Sequence, residues 1–270
     1  MSGFQELLTD IIGITDPFRS YCQYIKMKRK DDGDLMAVID GRDNAIQITA
    51  KAKKEIPEFQ TQACLGSLPY LKQVLDSSFM RGTDAKNTKI DLTVGKSSNG
   101  ASNMLKSIDF TTKRLTVKYN ATDPFIGDIN KKTRPVIATD WPVTFSITDE
   151  MLSNFEDVVR IHTSAPKINP KHADVFTLVY QEDSVSAQFG DTTHQVSAVL
   201  ADGVTSSATK ISTLLPISIV RAMFKIKANQ VAFLAEKAVK IEFDTSEAVY
   251  SIIAPGKLIS TPKSGGTVNA

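Results

Sequence analysis

Apolar and polar positions along this chain follow two periods, and the periods alternate in a repeating order. The clearest stretch runs from Leu214 to Pro255. After Leu214-Leu215, Pro216 suits a first helical turn, where its missing N–H costs nothing. Ile217, Val220 and Phe224 then fall on one helical face, with Met223 beside them. Val231–Leu234, Val239–Phe243 and Ala248–Ile253 each alternate apolar and polar residues, as half-buried strands do. The unit is one short amphipathic helix followed by a three-stranded antiparallel meander.

The same unit occurs earlier. Leu68-Pro69-Tyr70-Leu71-Lys72-Gln73-Val74-Leu75 repeats the Leu-Pro start, and Ile90–Val94, Met104–Phe110 and Leu115–Tyr119 follow as strands. A repeat of about half the chain points to duplicated domains rather than to a solenoid.

Each unit is preceded by a second matching block. Phe4, Leu7, Leu8, Ile11 and Ile12 make an apolar helical stripe, with Gln5, Glu6, Thr9 and Asp10 on its polar side, and Gly13 and Pro17 are expected to end it. Tyr21–Lys30 alternates, Asp31-Asp32-Gly33-Asp34 is a polar turn, and Leu35–Ile39 and Ala45–Ala50 return as strands. Ile56–Cys64 then leads into the Leu-Pro helix. In the second half Val143–Ile147 reads as a strand, and Thr148 caps a helix with Asp149 and Glu150 in its first turn, favourable at the positive end of the dipole. Met151, Leu152, Phe155, Val158 and Val159 are its apolar stripe. Val175–Tyr180, Val185–Phe189, Gln195–Leu200 and Thr209–Leu214 follow as strands. Each half reads helix, three strands, one strand, helix, three strands. The strand before the first helix has a counterpart only in Met1–Gly3, so it is short or absent in the first half.

Ala121–Asp140 breaks both periods. It carries Pro124, Gly127 and Pro135 and the basic run Lys131-Lys132-Thr133-Arg134, the composition of an interdomain linker. The expected organisation is an N-terminal domain over 1–120, a linker over 121–140, a C-terminal domain over 141–258 and a mobile tail over 259–270.

Composition narrows the classes. The 270 residues can bury a sizeable core, and a net charge of +2 neither requires nor forbids nucleic acid. No apolar run is long enough for a membrane span. The start, Met-Ser-Gly-Phe-Gln-Glu, lacks a basic then apolar leader, so the expected location is cytoplasmic, or the host cytoplasm for a viral protein. Cys22 and Cys64 fit no metal spacing and read as reduced thiols. His162, His172 and His194 are scattered and form no triad or metal pattern. No Gly-rich loop precedes Lys-Ser/Thr, and Asp31, Asp32 and Asp34 lack calcium-loop spacing. The pattern offers no catalytic set and implies no cofactor and no metal.

This plan, twice over with a long linker, resembles DNA sliding clamps, the phage clamps most and PCNA more distantly. "VTFSITDEMLSNFEDVVRI" (Val143–Ile161) looks like the strand and helix that open a second clamp domain. "STLLPISIVRAMF" looks like the strand-to-helix step halfway through it, and "EAVYSIIAPGKL" (Glu247–Leu258) is similar to the final PCNA strand and its Ala-Pro exit. The resemblance implies an α+β fold of two tandem clamp domains, each with two helices packed on antiparallel sheets. It implies a non-enzymatic processivity factor that forms a homotrimeric ring around double-stranded DNA and tethers a DNA polymerase. A clamp loader ATPase would open the ring. A β-rich oligomeric virion structural or assembly protein is the alternative, and a monomeric DNA-binding factor of the same fold is a further rival.

In the resembling family the helices line the hole. That implies DNA-facing roles for Lys72, Arg160, Arg221 and Lys225 on helices, with the strand-borne Lys26, Lys28 and Lys30 as a second basic set. Glu6, Asp10, Glu156 and Asp157 lie on or near the same helical faces. A partner peptide is expected between the linker and the C-terminal exit, against Phe125, Ile126, Tyr250, Ala254 and Pro255. The ring joint is expected to pair Leu115–Tyr119, with Leu115, Val117 and Tyr119, against His194–Val199, with His194, Val196 and Ala198, of the next copy.

Overall fold

The structure, a computed structural model, describes residues 2–30, 34–40, 45–81, 88–98, 100, 103–122, 140–164, 173–190, 195–226 and 230–256. The expected linker is described only at its two ends, and the expected tail, with Phe125, Ile126, His172 and His194, lies outside the described residues.

The first half begins with helix α1 (Gly3–Thr15), a 3-10 turn (Asp16–Phe18) and strands β1 (Ile25–Arg29), β2 (Leu35–Asp40), β3 (Gln47–Ala52) and β4 (Gln62–Leu65). Helix α2 (Leu68–Asp76), a single turn α3 (Ser78–Arg81) and strands β5 (Lys89–Lys96), β6 (Asn103–Thr111) and β7 (Thr116–Asn120) complete it. The second half has β8 (Val143–Ile147), α4 (Asp149–Ser164), β9 (Val175–Gln181), β10 (Ser184–Gly190), β11 (Gln195–Ala201), β12 (Lys210–Pro216), α5 (Ile217–Phe224), β13 (Gln230–Ala235), β14 (Ala238–Asp244) and β15 (Ala248–Pro255). The α+β order expected from the pattern is therefore present in both halves.

Differences are local. The side chain of Ser2 accepts from the Gln5 backbone N–H and caps α1, so the helix begins at Gly3 and no strand precedes it among the described residues. Gly13 sits inside α1, which continues to Thr15. It is exposed there, and one exposed helical glycine costs only about 1 kcal/mol, less than the buried stripe supplies. The chain stops being α-helical at Asp16-Pro17-Phe18, where it tightens into the 3-10 turn. That turn and α3 are too short to leave a periodic signature.

The strands form two sheets. The larger runs β5-β6-β4-β1-β2-β3-β15-β14-β13-β8, with β7 also paired to β6, and the smaller runs β11-β10-β9-β12. Two four-strand sets are thus repeated: β4-β1-β2-β3 matches β12-β9-β10-β11, antiparallel throughout. The meander β5-β6-β7 matches β13-β14-β15. The halves join through β3 and β15, which pair from Gln47↔Ile253 to Ala52↔Ala248.

The core lies between the sheets and a helix layer on one side. Helix α1 packs on α2 and β3, the 3-10 turn packs on α5, and α4 packs on α5, β10 and β11. Phe155 of α4 is fully buried and meets Phe176, Phe189 and Phe224 with ring centroids 5.3, 5.9 and 5.4 Å away. In the first half Phe4 stacks on Phe59 at 5.2 Å. Each helix stripe read from the sequence is the face that enters this core.

Candidate functional site

Three surface features stand out: the outward side of the helix layer, a cleft at the junction of the halves, and the open edges of β7 and β11.

Strand alternation decides what reaches the helix side. Ile25 and Met27 of β1 are buried in the core, so Lys26 and Lys28, and Lys30 beyond the strand, belong to the other surface of the sheet. A helix-lined contact face therefore excludes these lysines, contrary to the expectation that they form a second basic set on it. The helix-borne cations do lie on the outward side, and each is held by a carboxylate. Lys72 pairs with Asp76 one turn on, and Arg160 donates to Asp157 at 2.8 Å. Arg221 forms a two-pronged contact with Glu156, its Nε 2.8 Å from one oxygen and 3.1 Å from the other. Lys225 Nζ lies 3.1 Å from the same carboxylate. Hydrogen bonds from Arg221, then Lys225, hold the Glu156 carboxyl below its usual range. Four of the basic positions are thus locally compensated. The sequence showed the acids nearby; only the packing of α4 on α5 joins Glu156 to Arg221 across 65 residues.

The cleft has a volume of about 560 Å³. Val159, Pro216, Ile217 and Ile219 from the second half line it, as do Tyr21 and Ala45 from the first and Pro255 and Gly256 at the chain's exit. Asp174, Thr163, Ser218 and Arg221 supply its polar lining. Tyr21 and Ser218 hydroxyls meet across the junction at 2.9 Å. Of the expected peptide-contact residues, Pro255 is at this cleft. Tyr250 and Ala254 are not available to a ligand, because both are fully buried. Alternation along β15 turns Ala248, Tyr250, Ile252 and Ala254 inward, so the aromatic ring that suggested a surface slot is part of the core. Tyr21, Ala45 and Ile217, which also line the cleft, are not among the expected contact residues; Ile217 follows directly on the Leu-Pro helix start.

Tyr250 has another role. Its hydroxyl donates to Asp10 of α1 at 2.7 Å, and the Thr245 hydroxyl donates to the same oxygen at 2.7 Å. Burial, with the Asp10 charge beside it, pushes the Tyr250 hydroxyl well above the usual tyrosine range. Lys53–Asp244 and Lys54–Glu247 ion pairs stand beside this contact. The β3–β15 ladder, Asp10 and these pairs form one joint between the halves.

The counterparts of that joint's two strands are unpaired on one side among the described residues. β11 ends the smaller sheet, and β7 bonds β6 alone. The matching registers are close: Ala37↔Ala50 corresponds to Ala187↔Ala198, and Phe243↔Tyr250 to Phe110↔Val117. Leu115, which precedes β7, is 44% exposed, and Val199 of β11 is 55% exposed. Tyr119 differs from Leu115, Val117, Val196 and Ala198, being buried with its hydroxyl donating to the Gly66 carbonyl.

No group of three or more His, Cys, Asp or Glu with metal-site geometry occurs among the described residues. No described helix is long and apolar enough to cross a membrane. Cys22 is buried, which pushes its thiol up to about 12.

No protein-family model and no curated sequence matches the chain. Solved structures do match in shape. PCNA of A. fulgidus, solved with the C-terminal region of FEN-1, superposes with a TM-score of 0.61 at 8% identity, covering 97% of this chain and 98% of that one. The DNA polymerase III subunit beta of Pseudomonas aeruginosa gives 0.63 at 10% identity, over 96% of this chain and 64% of the other. The PCNA2-PCNA3 complex of Sulfolobus tokodaii gives 0.56 at 12%, over 93% and 96%. The chain has the sliding-clamp fold.

Proposed function

We propose that this chain, with the sliding-clamp fold as its premise, is a DNA sliding clamp: a non-enzymatic ring that encircles duplex DNA and holds a replicative polymerase to it. One observation carries the reading. The intrachain joint uses β3 and β15, and their counterparts β11 and β7 are left open. Such unlike edges pair head to tail between copies, and a head-to-tail contact closes into a ring when the rotation permits. Residues 1–120 and 141–258 are then the two clamp domains, and the two-domain plan favours a homotrimer.

A ring holds DNA by topology, so it needs little affinity for phosphate. That agrees with a net charge of +2 and with helix cations already shared with carboxylates. In this reading Lys72, Arg160, Arg221 and Lys225 meet phosphates, and the cleft at Tyr21, Ala45, Ile217 and Pro255 takes the partner peptide. An apolar anchor filling such a slot contributes about 2 kcal/mol or more. A polymerase and a loader ATPase are the expected partners, and phage replication the expected setting.

Retention on DNA tests this. Clamp placed on a nicked circle should stay through gel filtration and leave when the circle is cut, while light scattering gives a trimer mass. Equal retention on linear and circular DNA would refute encirclement and favour a monomeric DNA-binding factor. A closed assembly with no retention on either would favour a virion component.

A further inference from the structure

The two halves share one turn, bond for bond. Between β6 and β7, the Thr112 N–H donates to the Leu115 carbonyl at 2.8 Å, and Thr112 Oγ1 accepts from the Arg114 and Leu115 N–H groups at 3.3 and 3.1 Å. Between β14 and β15, the Thr245 N–H donates to the Ala248 carbonyl at 2.9 Å, and Thr245 Oγ1 accepts from Glu247 and Ala248 at 3.2 and 3.1 Å. Arg114 therefore stands where the other half has Glu247, and Val117 where it has Tyr250.

The charges around the two turns are reversed. At the intrachain joint the turn is acidic, and Asp244 and Glu247 pair with Lys53 and Lys54, which follow β3. The open turn carries Lys113 and Arg114, both exposed. The residue that follows β11 is Asp202, also exposed. Glu182 and Asp183 lie beside it, since the Val204 N–H donates to the Asp183 carbonyl at 2.7 Å. Among the described residues neither Lys113 nor Arg114 has a carboxylate partner, and none of the three acids has a cation.

We infer that this reversed polarity is the device that tells the joint between copies from the joint within a chain, with Asp202 of one copy paired to Arg114 of the next. The inference rests on the ring reading above. Carrying over the β3–β15 register puts Val117 opposite Ala198 and Tyr119 opposite Val196 of the neighbouring copy. The turn bonds and most of the ladder register repeat at the two joints, the difference being a register shift at Val185/Ser186 in the β10–β11 pair that the β2–β3 pair lacks, and the reversed charges add to that difference. A β3 edge taking a foreign β7 would bring Lys53 and Lys54 against Lys113 and Arg114. A β11 edge taking β15 would bring Asp202 against Asp244 and Glu247. Both errors juxtapose like charges, so the correct joints are selected by repulsion as well as attraction.

Charge reversal tests the pair. Arg114→Glu and Asp202→Arg should each raise the subunit concentration at half-assembly about tenfold or more in sedimentation equilibrium, and the double variant should bring it back to within about threefold of wild type. Wild-type assembly should weaken as salt rises, and R114A/D202A should lose much of that dependence. Both side chains are exposed, and circular dichroism should show every variant folded. If wild type assembles and the single reversals assemble equally well, the charge pair is refuted while the ring stands. A wild-type chain that stays monomeric at all concentrations refutes the ring, and this inference with it.

Discussion

Removing the Tyr250 hydroxyl should loosen the joint between the halves without disturbing its shape. The side chain is fully buried and stacks on Phe243 at 5.2 Å, so Tyr250→Phe keeps the packing and deletes one bond, to Asp10 at 2.7 Å. A hydrogen bond to a charged acceptor contributes roughly 1.5–3 kcal/mol. Asp10 is half-buried and keeps the Thr245 hydroxyl, so water and Thr245 recover part of the loss. The expected cost of Tyr250→Phe is about 1–2 kcal/mol. Asp10→Ala should cost more, about 2–3 kcal/mol, because it leaves the buried Tyr250 hydroxyl with no acceptor. In the double variant neither partner is orphaned, so the two costs should fall short of additive by about 1–2 kcal/mol. Urea unfolding of the four proteins at one subunit concentration, where assembly contributes equally, measures the cycle. Additive losses would show that Asp10 and Tyr250 do not interact and would sink the assignment of this contact as the lock of the joint.

Glu156→Gln should release Arg221 and Lys225, tightening binding to short linear duplexes and steepening its salt slope by about 0.9 per phosphate gained; an unchanged slope would show that this face does not meet DNA. The same carboxyl is depressed by Arg221, so its stabilisation is present above the ordinary glutamate value of about 4.3 and disappears as pH falls through the lower folded value. Wild type should therefore exceed Glu156→Gln in urea midpoint at pH 7 and lose that advantage in acid; Arg221 is half-exposed, so the gap should be within about 1 kcal/mol. Ala45→Trp should fill the junction cleft and abolish polymerase stimulation while the assembled mass stays unchanged, and normal stimulation would place the partner site elsewhere. Phe155→Ala should cost about 3–5 kcal/mol, because it empties the centre of an aromatic cluster, and a loss under 1 kcal/mol would contradict that packing.

Periodicity determined much of this protein. The four principal helices and the duplicated order were legible because an amphipathic stripe records which side of an element is buried, whatever it is buried against. The Leu-Pro helix starts marked the cleft's wall for the same local reason. Partnership was not legible. Tyr250 looked like an exit aromatic open to a ligand, yet the register of β15 on β3 turns it inward to Asp10, and a one-residue change of register would have turned it out. Lys26 and Lys28 looked equivalent to the helix cations until the sheet put them on its other surface. Glu156 and Arg221, or Lys54 and Glu247, carry no mark in sequence of meeting each other. Charge pairing depends on distance through space, and the separations of 65 and 193 residues are closed only when the strands and helices pack.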